Sequence, residues 1–133
     1  MTARFDAIGL VVADMGRSLA FYRALGLDVP ADADDQPHVE VPLPNGARLM
    51  VDTVETVHSF DPGWTAPTGS ARVALAFACD SPSDVDAVFT RLVGAGYEAH
   101  LEPWDAFWGQ RYASVLDPDG NSVELFAPLG TAS

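Results

Sequence analysis

Trp104-Asp-Ala-Phe-Trp-Gly-Gln-Arg-Tyr-Ala-Ser-Val-Leu-Asp-Pro-Asp-Gly-Asn-Ser-Val-Glu-Leu-Phe126 is the stretch that decides the fold. Two strand-like runs flank the turn Asp117-Pro118-Asp119-Gly120-Asn121, and a single carboxylate, Glu124, sits in the second run. A weaker copy occurs earlier, as Pro44-Asn45-Gly46-Ala47-Arg48-Leu49-Met50-Val51. Four residues on from the glycine stands Glu124 in the late copy and Met50 in the early one. The chain therefore reads as a duplication, in which a potential metal ligand of one half has an apolar counterpart in the other.

Working outward, residues 5–12 form an aliphatic, β-branched run that reads as a strand. Asp14 can cap a following helix on which Met15, Leu19, Tyr22 and Leu25 fall at roughly helical spacing, and Gly26 ends it. Strands are expected at 38–41 and 48–54, around the Pro44-Asn45-Gly46 turn. The order restarts with a strand at 72–79. Ser81-Pro82 opens a helix carrying Val85, Val88, Phe89 and Leu92 on one face, closed by Gly94 and Gly96. Further strands are expected near 97–101, 111–116 and 122–127. Phe21-Tyr-Arg-Ala-Leu-Gly26 echoes Phe89-Thr-Arg-Leu-Val-Gly94, so each half is expected to run strand, helix, strand, strand, strand. Residues 1–133 are one domain on this reading, with modules at 4–60 and 71–128 and a Pro/Gly-rich connector at 61–70.

Alternation assigns the faces. Val123 and Leu125 share one face of the last strand, and Ser122, Glu124 and Phe126 the other. In the earlier copy Leu49 and Val51 oppose Arg48, Met50 and Asp52. Val73, Leu75 and Phe77 alternate with Ala74, Ala76 and Ala78, and Ile8, Leu10 and Val12 with Ala7, Gly9 and Val11. One sheet face is thus bulky and apolar, while the other carries small or polar groups and leaves room for a ligand.

The chain has 133 residues, enough for a hydrophobic core, with 48% hydrophobic and 20% charged residues. Nineteen acids face seven arginines and no lysine, for a net charge of −12. Such a surface repels phosphate backbones and excludes nucleic acid as a partner, while it suits cationic small molecules or simple solubility. No apolar run approaches the length of a membrane span. Nothing at the N-terminus resembles a secretion signal, and the expected location is cytoplasmic. Cys79 has no second cysteine to pair with and lies in an apolar run, as a buried structural thiol would.

Val11-Val-Ala-Asp-Met-Gly-Arg-Ser-Leu-Ala-Phe-Tyr22 with Gly26, and Asp117-Pro-Asp-Gly-Asn-Ser-Val-Glu-Leu125, resemble the vicinal oxygen chelate superfamily, which holds glyoxalase I, ring-cleaving dioxygenases and bleomycin-resistance proteins. The resemblance covers nearly the whole chain. It implies an α+β fold of paired βαβββ modules forming a cupped mixed sheet, in a homodimer. Metal-dependent members hold a divalent ion with His, Glu or Gln from strands of both modules. Those positions fall here on Glu124, Met50, Ala7 and Ala74 (Arg72 if the register slips). About three protein ligands are needed for a catalytic divalent site, and a thioether does not suit a hard metal. The expectation is therefore no metal and no cofactor. A site rearranged around Asp52 and one of His38, His58 or His100 is the alternative.

Within the superfamily the chain is similar to mitomycin-resistance proteins, through Asp52-Thr-Val-Glu-Thr-Val57, Asp61-Pro-Gly-Trp-Thr-Ala-Pro-Thr-Gly69, Gly96-Tyr-Glu-Ala-His-Leu-Glu-Pro-Trp104, Trp108-Gly-Gln-Arg-Tyr112 and Leu125-Phe-Ala-Pro-Leu129. That resemblance implies non-catalytic sequestration of a planar aromatic drug, with Trp108 and His38 as stacking partners. The residues point the same way on their own. Trp104, Phe107, Trp108 and Tyr112 crowd a short span, and rings supply contact area and stacking. Trp104 and Phe107 fit core or interface equally well. Arg111, Asp52 and Glu124 are the polar ligand-binding candidates, with Glu124 either a hydrogen-bonding group or a relic metal ligand. Trp64 reads as a packing anchor. No Ser-His-Asp, Cys-His or phosphate-loop arrangement occurs, so no catalytic residue is assigned. The competing expectation is a metal-dependent lyase, isomerase or dioxygenase of the same fold.

Overall fold

In the computed structural model, residues 2–130 are described. The chain divides into two compact units, Met1–Thr68 and Gly69–Ser133. The fold is the expected mixture of helices and mixed sheets.

The first unit contains β1 (Ala7–Val12), α1 (Met15–Ala24), β2 (His38–Pro42), β3 (Arg48–Thr53) and the short helix α2 (Val54–His58). Its sheet has the order β1-β3-β2, with β1 parallel and β2 antiparallel to β3. Asp14 caps α1 through Oδ1, which accepts from the Arg17 amide, and Met15, Leu19, Phe21 and Tyr22 are buried along the helix. This module has one strand fewer than expected. Between Gly26 and His38 the chain reads Leu27-Asp-Val-Pro-Ala-Asp-Ala-Asp-Asp-Gln-Pro37, and its two prolines and four aspartates suit a ladder poorly. The segment is a loop instead, held to α1 by Arg23, which donates to Asp34 Oδ1 at 3.0 Å and to the Pro30 carbonyl at 2.8 Å. Helix α2 was also not expected. Thr53 ends the strand by accepting from the Thr56 amide as an N-cap.

The second unit runs β4 (Ala74–Ala78), α3 (Pro82–Gly94), β5 (Glu98–Asp105), β6 (Gln110–Leu116) and β7 (Ser122–Pro128), the full βαβββ order. Its sheet order is β4-β7-β6-β5, with β4 parallel to β7 and the other pairs antiparallel. Ser81 caps α3 at the Asp84 amide with Pro82 in the first turn, and the helix lies across β5, β6 and β7. Val85, Phe89 and Leu92 meet Val123, Leu125, Ala113 and Val115 as the buried layer. Strand β4 starts later than expected and leaves Val73 outside it, exposed. Among the described residues no helix is long and apolar enough to cross a membrane.

Three hairpins share one turn geometry. In 43–47, 106–110 and 117–121 the first residue's amide donates to the carbonyl four residues on, and the fourth residue's amide donates back to the first carbonyl. That fourth residue is Gly46, Gly109 or Gly120, at φ +86°, +92° and +86°. Glycine is required there because the left-handed region closes a three-residue loop between twisted strands. Asp117 locks the third turn: its Oδ1 accepts from the amides of Asp119 and Asn121 and its Oδ2 from Asn121 Nδ2, at 2.8–3.0 Å. It is only 4% exposed. Asp117→Ala is expected to cost on the order of 2–3 kcal/mol, because three part-buried hydrogen bonds that close the turn are lost together. A urea titration with an unchanged midpoint would refute this.

Candidate functional site

In the second unit the register puts Tyr112 opposite Phe126, Ser114 opposite Glu124 and Leu116 opposite Ser122, while Ala76 flanks Glu124 from β4. These side chains share the sheet face turned away from α3, which is the alternation expected. Trp104 extends the face on β5, directly opposite Tyr112. Strand β5 is the sheet edge and bears register shifts around Leu101, which is where Pro103 is tolerated.

The β5–β6 turn occupies 106–110. At its tip the other two turns carry Pro44-Asn45 and Pro118-Asp119, residues that serve the bend itself. Here the same two places hold Phe107 and Trp108. Nothing in the turn requires rings at those places, and both stand in solvent, Phe107 90% and Trp108 47% exposed. Trp108 is the hub of an edge-to-face cluster, with ring centroids 5.0 Å from Phe107, 5.3 Å from Tyr112 and 5.5 Å from Trp104. Its indole N–H donates to Gln110 Oε1 at 2.8 Å, so the ring is oriented with its polar group already satisfied. Tyr112 leads from the cluster to Glu124: its phenol is pushed up to about 12, first by burial and then by its hydrogen bond to the Glu124 carboxylate.

Arg111 lies on the opposite face. Its Nε and Nη2 grip Asp86 of α3, both at 2.9 Å, and Nη1 reaches Asp105 at 3.0 Å. The fork raises the guanidinium pKa and holds the Asp86 carboxyl below its ordinary range. Arg111 thus ties helix to sheet, and its donors do not reach the face bearing Glu124.

In the first unit, counting outward from the 43–47 turn pairs His38 with Asp52 and Glu40 with Met50 across β2 and β3. His38 Nδ1 lies 2.6 Å from Asp52 Oδ1 and Nε2 lies 3.0 Å from Glu40 Oε2. Glu40 in turn accepts from Arg48, which also donates to Asp6. Hydrogen bonding to Glu40 and then to Asp52 raises the His38 pKa above its ordinary 6.5, and hydrogen bonding from His38 and then Arg48 lowers that of Glu40. Asp52 was foreseen as a site residue, Glu40 and Asp6 were not. Two residues apart on one strand, His38 and Glu40 had to share a face, and that spacing was the available signal. A shallow, open depression of about 370 Å³ adjoins His38, bordered by residues 30–33 of the loop with Asp32, Gln36 and Glu40 among its polar groups.

Of the remaining candidates, His58 has a structural partner. His58 Nε2 donates to the Trp64 carbonyl at 2.8 Å and its ring meets the indole edge-on. His100 lines a second cavity, of about 260 Å³, with Ser70 and Ser122. Cys79 is partly buried, and burial, then Asp84 and Asp80, pushes its thiol up, the opposite of a reactive thiolate.

The residues at the positions expected of metal ligands do not make a donor set. Glu124 is flanked by Ala76 and engaged by Tyr112, Met50 offers a thioether beside Gly9, and Ala7 pairs with Arg48. Both ring nitrogens of His38 are committed to carboxylates. Among the described residues no group of three or more His, Cys, Asp or Glu is placed to hold a metal ion.

The sequence model of the Glyoxalase/Bleomycin resistance protein/Dioxygenase superfamily matches residues 4–125. Among solved structures, a glyoxalase/bleomycin resistance protein/dioxygenase family enzyme from Burkholderia phytofirmans is similar with TM-score 0.81 and 17% identity, over 96% of this chain and 100% of that one. A glyoxalase-related enzyme from Fulvimarina pelagi gives TM-score 0.79 and 23% identity, over 98% and 94%. A protein of unknown function from Agrobacterium tumefaciens gives 0.71 and 26%, over 97% of each chain. No curated protein matches the sequence.

Proposed function

Because the chain belongs to the Glyoxalase/Bleomycin resistance protein/Dioxygenase superfamily, and because Glu124 is the one hard donor at the positions where its metal-dependent members hold an ion, we propose that it binds and sequesters a planar aromatic antibiotic or metabolite without converting it. The ligand is of quinone or cationic aromatic type, held in a cleft of a cytoplasmic homodimer, and its capture confers resistance. One observation carries this reading: a turn whose two sister copies use Pro-Asn and Pro-Asp at the tip spends that tip on Phe107 and Trp108. Two exposed rings at a hairpin tip are costly in water unless something covers them.

The chemistry of binding follows from the surroundings. Trp108 offers a ring surface braced by Trp104, Phe107 and Tyr112, and Gln110 fixes its rotation. Glu124, beyond Tyr112, accepts a hydrogen bond from a ligand hydroxyl or amine. The small residues Ala74, Ala76 and Ala78 leave space on the same face. In the first unit the His38 ring provides another flat surface, and Asp52 orients it. With a net charge of −12 the protein also draws cationic compounds towards it.

Calorimetric titration with uncharged quinones and with cationic planar dyes tests the reading, and micromolar binding of at least one class is expected. Absence of binding by both, at protein concentrations where sedimentation shows the dimer, would remove the proposal. Elemental analysis separates it from a metal-dependent lyase, isomerase or dioxygenase. Stoichiometric metal lost on Glu124→Ala would favour the enzyme.

A further inference from the structure

The chain contains two asparagines, and its turns hold them differently. Asn121 is half-buried at the foot of the 117–121 turn, where its Nδ2 donates to Asp117 Oδ2 at 2.9 Å and its amide to Asp117 Oδ1 at 2.8 Å. Its side chain is drawn back toward Asp117, and the main-chain nitrogen that follows belongs to Ser122, which carries a side chain of its own. Asn45 stands exposed at the tip of the 43–47 turn, followed by Gly46. Its Oδ1 accepts from the Ala47 amide at 3.1 Å, which folds the carboxamide forward over the Asn45–Gly46 peptide. Gly46 has no side chain to screen its nitrogen, and a Cβ built there would meet nothing within 4 Å.

These are the parts of an intramolecular acyl transfer. Gly46 N is the nucleophile and Asn45 Cγ the electrophile, and their separation along the chain closes a five-membered ring. The Ala47 N–H, already on Oδ1, stabilises the negative charge that develops there on attack. The obstacle is the Gly46 hydrogen, which is donated to the Leu43 carbonyl at 3.0 Å. That contact is one backbone bond at an exposed hairpin tip, and such bonds open at the low-free-energy end of local unfolding.

We infer that Asn45 is a site of spontaneous deamidation in the folded protein, and that its isoaspartyl product uncouples the β2–β3 hairpin. Gly46 N bonds to Asn45 Cγ, the Cγ–Nδ2 bond breaks, and Nδ2 leaves as ammonia with the proton given up by Gly46 N. Water then opens the cyclic imide at one of its two carbonyls. Cleavage between Cγ and Gly46 N restores the main chain and leaves aspartate. Cleavage between the main-chain carbonyl carbon and Gly46 N leaves isoaspartate, with the chain running through Cγ. Aspartate fits the turn: Asp119 holds the same place before Gly120 in the sister turn, and a carboxylate still accepts from Ala47. Isoaspartate adds a methylene carbon to the main chain inside a three-residue loop. The bonds from Leu43 N–H to the Ala47 carbonyl and from Gly46 N–H to the Leu43 carbonyl then cannot both close. The pairs counted from that turn, Glu40 with Met50 and His38 with Asp52, lose their anchor.

The full chain is aged at mildly alkaline pH near body temperature and sampled by peptide mass spectrometry. The one-dalton gain from amide to acid is expected in the peptide holding Asn45 and not in the one holding Asn121. Methylation by an isoaspartyl methyltransferase is expected to label the same peptide. The folded chain is expected to convert several-fold more slowly than the urea-unfolded one, because the Gly46–Leu43 bond must open first. Asn45→Gln, which would have to close a larger ring, is expected to stay unmodified. The separated isoaspartyl form is then compared with freshly prepared Asn45→Asp by amide hydrogen exchange. Exchange of the β2–β3 amides is expected to quicken roughly tenfold in the isoaspartyl form, the effect of one or two lost backbone bonds. It is expected to keep the parent rate in Asn45→Asp. A folded chain that keeps Asn45 intact while the unfolded chain converts overturns the inference, since the turn then shields the amide. Conversion of Asn121 at a matching rate overturns it as well, and an isoaspartyl form whose β2–β3 amides exchange like the parent's overturns the uncoupling. None of these readouts involves a ligand, so the outcome is independent of the sequestration reading.

Discussion

Trp108→Ala is expected to weaken binding of a planar aromatic ligand by at least about thirtyfold, the effect of removing roughly 2 kcal/mol or more at a tryptophan hot spot. The substitution removes the ligand's platform and also three edge-to-face contacts that brace it, each worth about 0.5–1.5 kcal/mol beyond burial. The hairpin backbone has little reason to respond, and the lost ring contacts register as a modest drop in stability that denaturation reads separately. Trp108 is 47% exposed at the tip of a hairpin, and the turn depends on Gly109 and the 106–110 backbone bonds. Calorimetry is the proper measurement, since removing the indole alters the fluorescence signal. Phe107→Ala, which loses a ring that is 90% exposed and touches only Trp108 among the clustered rings, is expected to cost less. Gln110→Ala tests orientation alone, by freeing the indole N–H. If Trp108→Ala binds as tightly as the parent, the hairpin tip is not the binding surface.

Much of this geometry is legible in the chain because β-hairpins propagate position from their turns. Once Gly46 and Gly120 are recognised as the left-handed residues of matching turns, counting outward gives every pair in β2–β3 and β6–β7. Pairs such as His38–Asp52 and Ser114–Glu124 follow without any knowledge of the fold. The Glu40 side of the histidine clamp was available by the same count. That signal lies in the neighbour two places along the strand and not in the histidine itself.

The third turn was hidden for a different reason. Ala106-Phe-Trp-Gly-Gln110 lacks the proline and side-chain acceptor that usually mark a bend, and only Gly109 announces it. The missing strand of the first module was obscured by the duplication itself. Reading both halves as strand, helix, strand, strand, strand implies one more strand in the first module than its segments supply, and the prolines and aspartates of 27–37 oppose one there. Arg111 shows the limit of composition. A lone cation near aromatic residues suggests a ligand group, but its odd-numbered place on β6, beside Ala113 and Val115, sends it to the helix side, where Asp86 awaits it. Local chemistry overrides the inherited template in the loop, and strand parity overrides residue type at Arg111.

Strand parity also makes the sharpest stability prediction. Leu125→Ala is expected to destabilise the protein by about 2–5 kcal/mol, while its neighbour Glu124→Gln changes stability by less than about 1 kcal/mol. Leu125 is 1% exposed, in the layer where α3 sets Val85, Phe89 and Leu92 against the sheet. Truncation there loses the transfer free energy of the removed carbons and leaves a void that close-packed neighbours fill only in part. Glu124 points to the other face, where the glutamine side-chain oxygen still accepts from Tyr112 and no carbon is removed from the core. The two substitutions therefore separate the functions of adjacent residues. Leu125→Ala moves the denaturation midpoint and leaves the binding surface chemistry intact, whereas Glu124→Gln leaves the midpoint and weakens capture of ligands that donate to the carboxylate. Chemical denaturation followed by far-UV circular dichroism, run beside calorimetric titration, checks both. A large midpoint shift in Glu124→Gln would place that carboxylate in the support of the fold and remove it from the binding face.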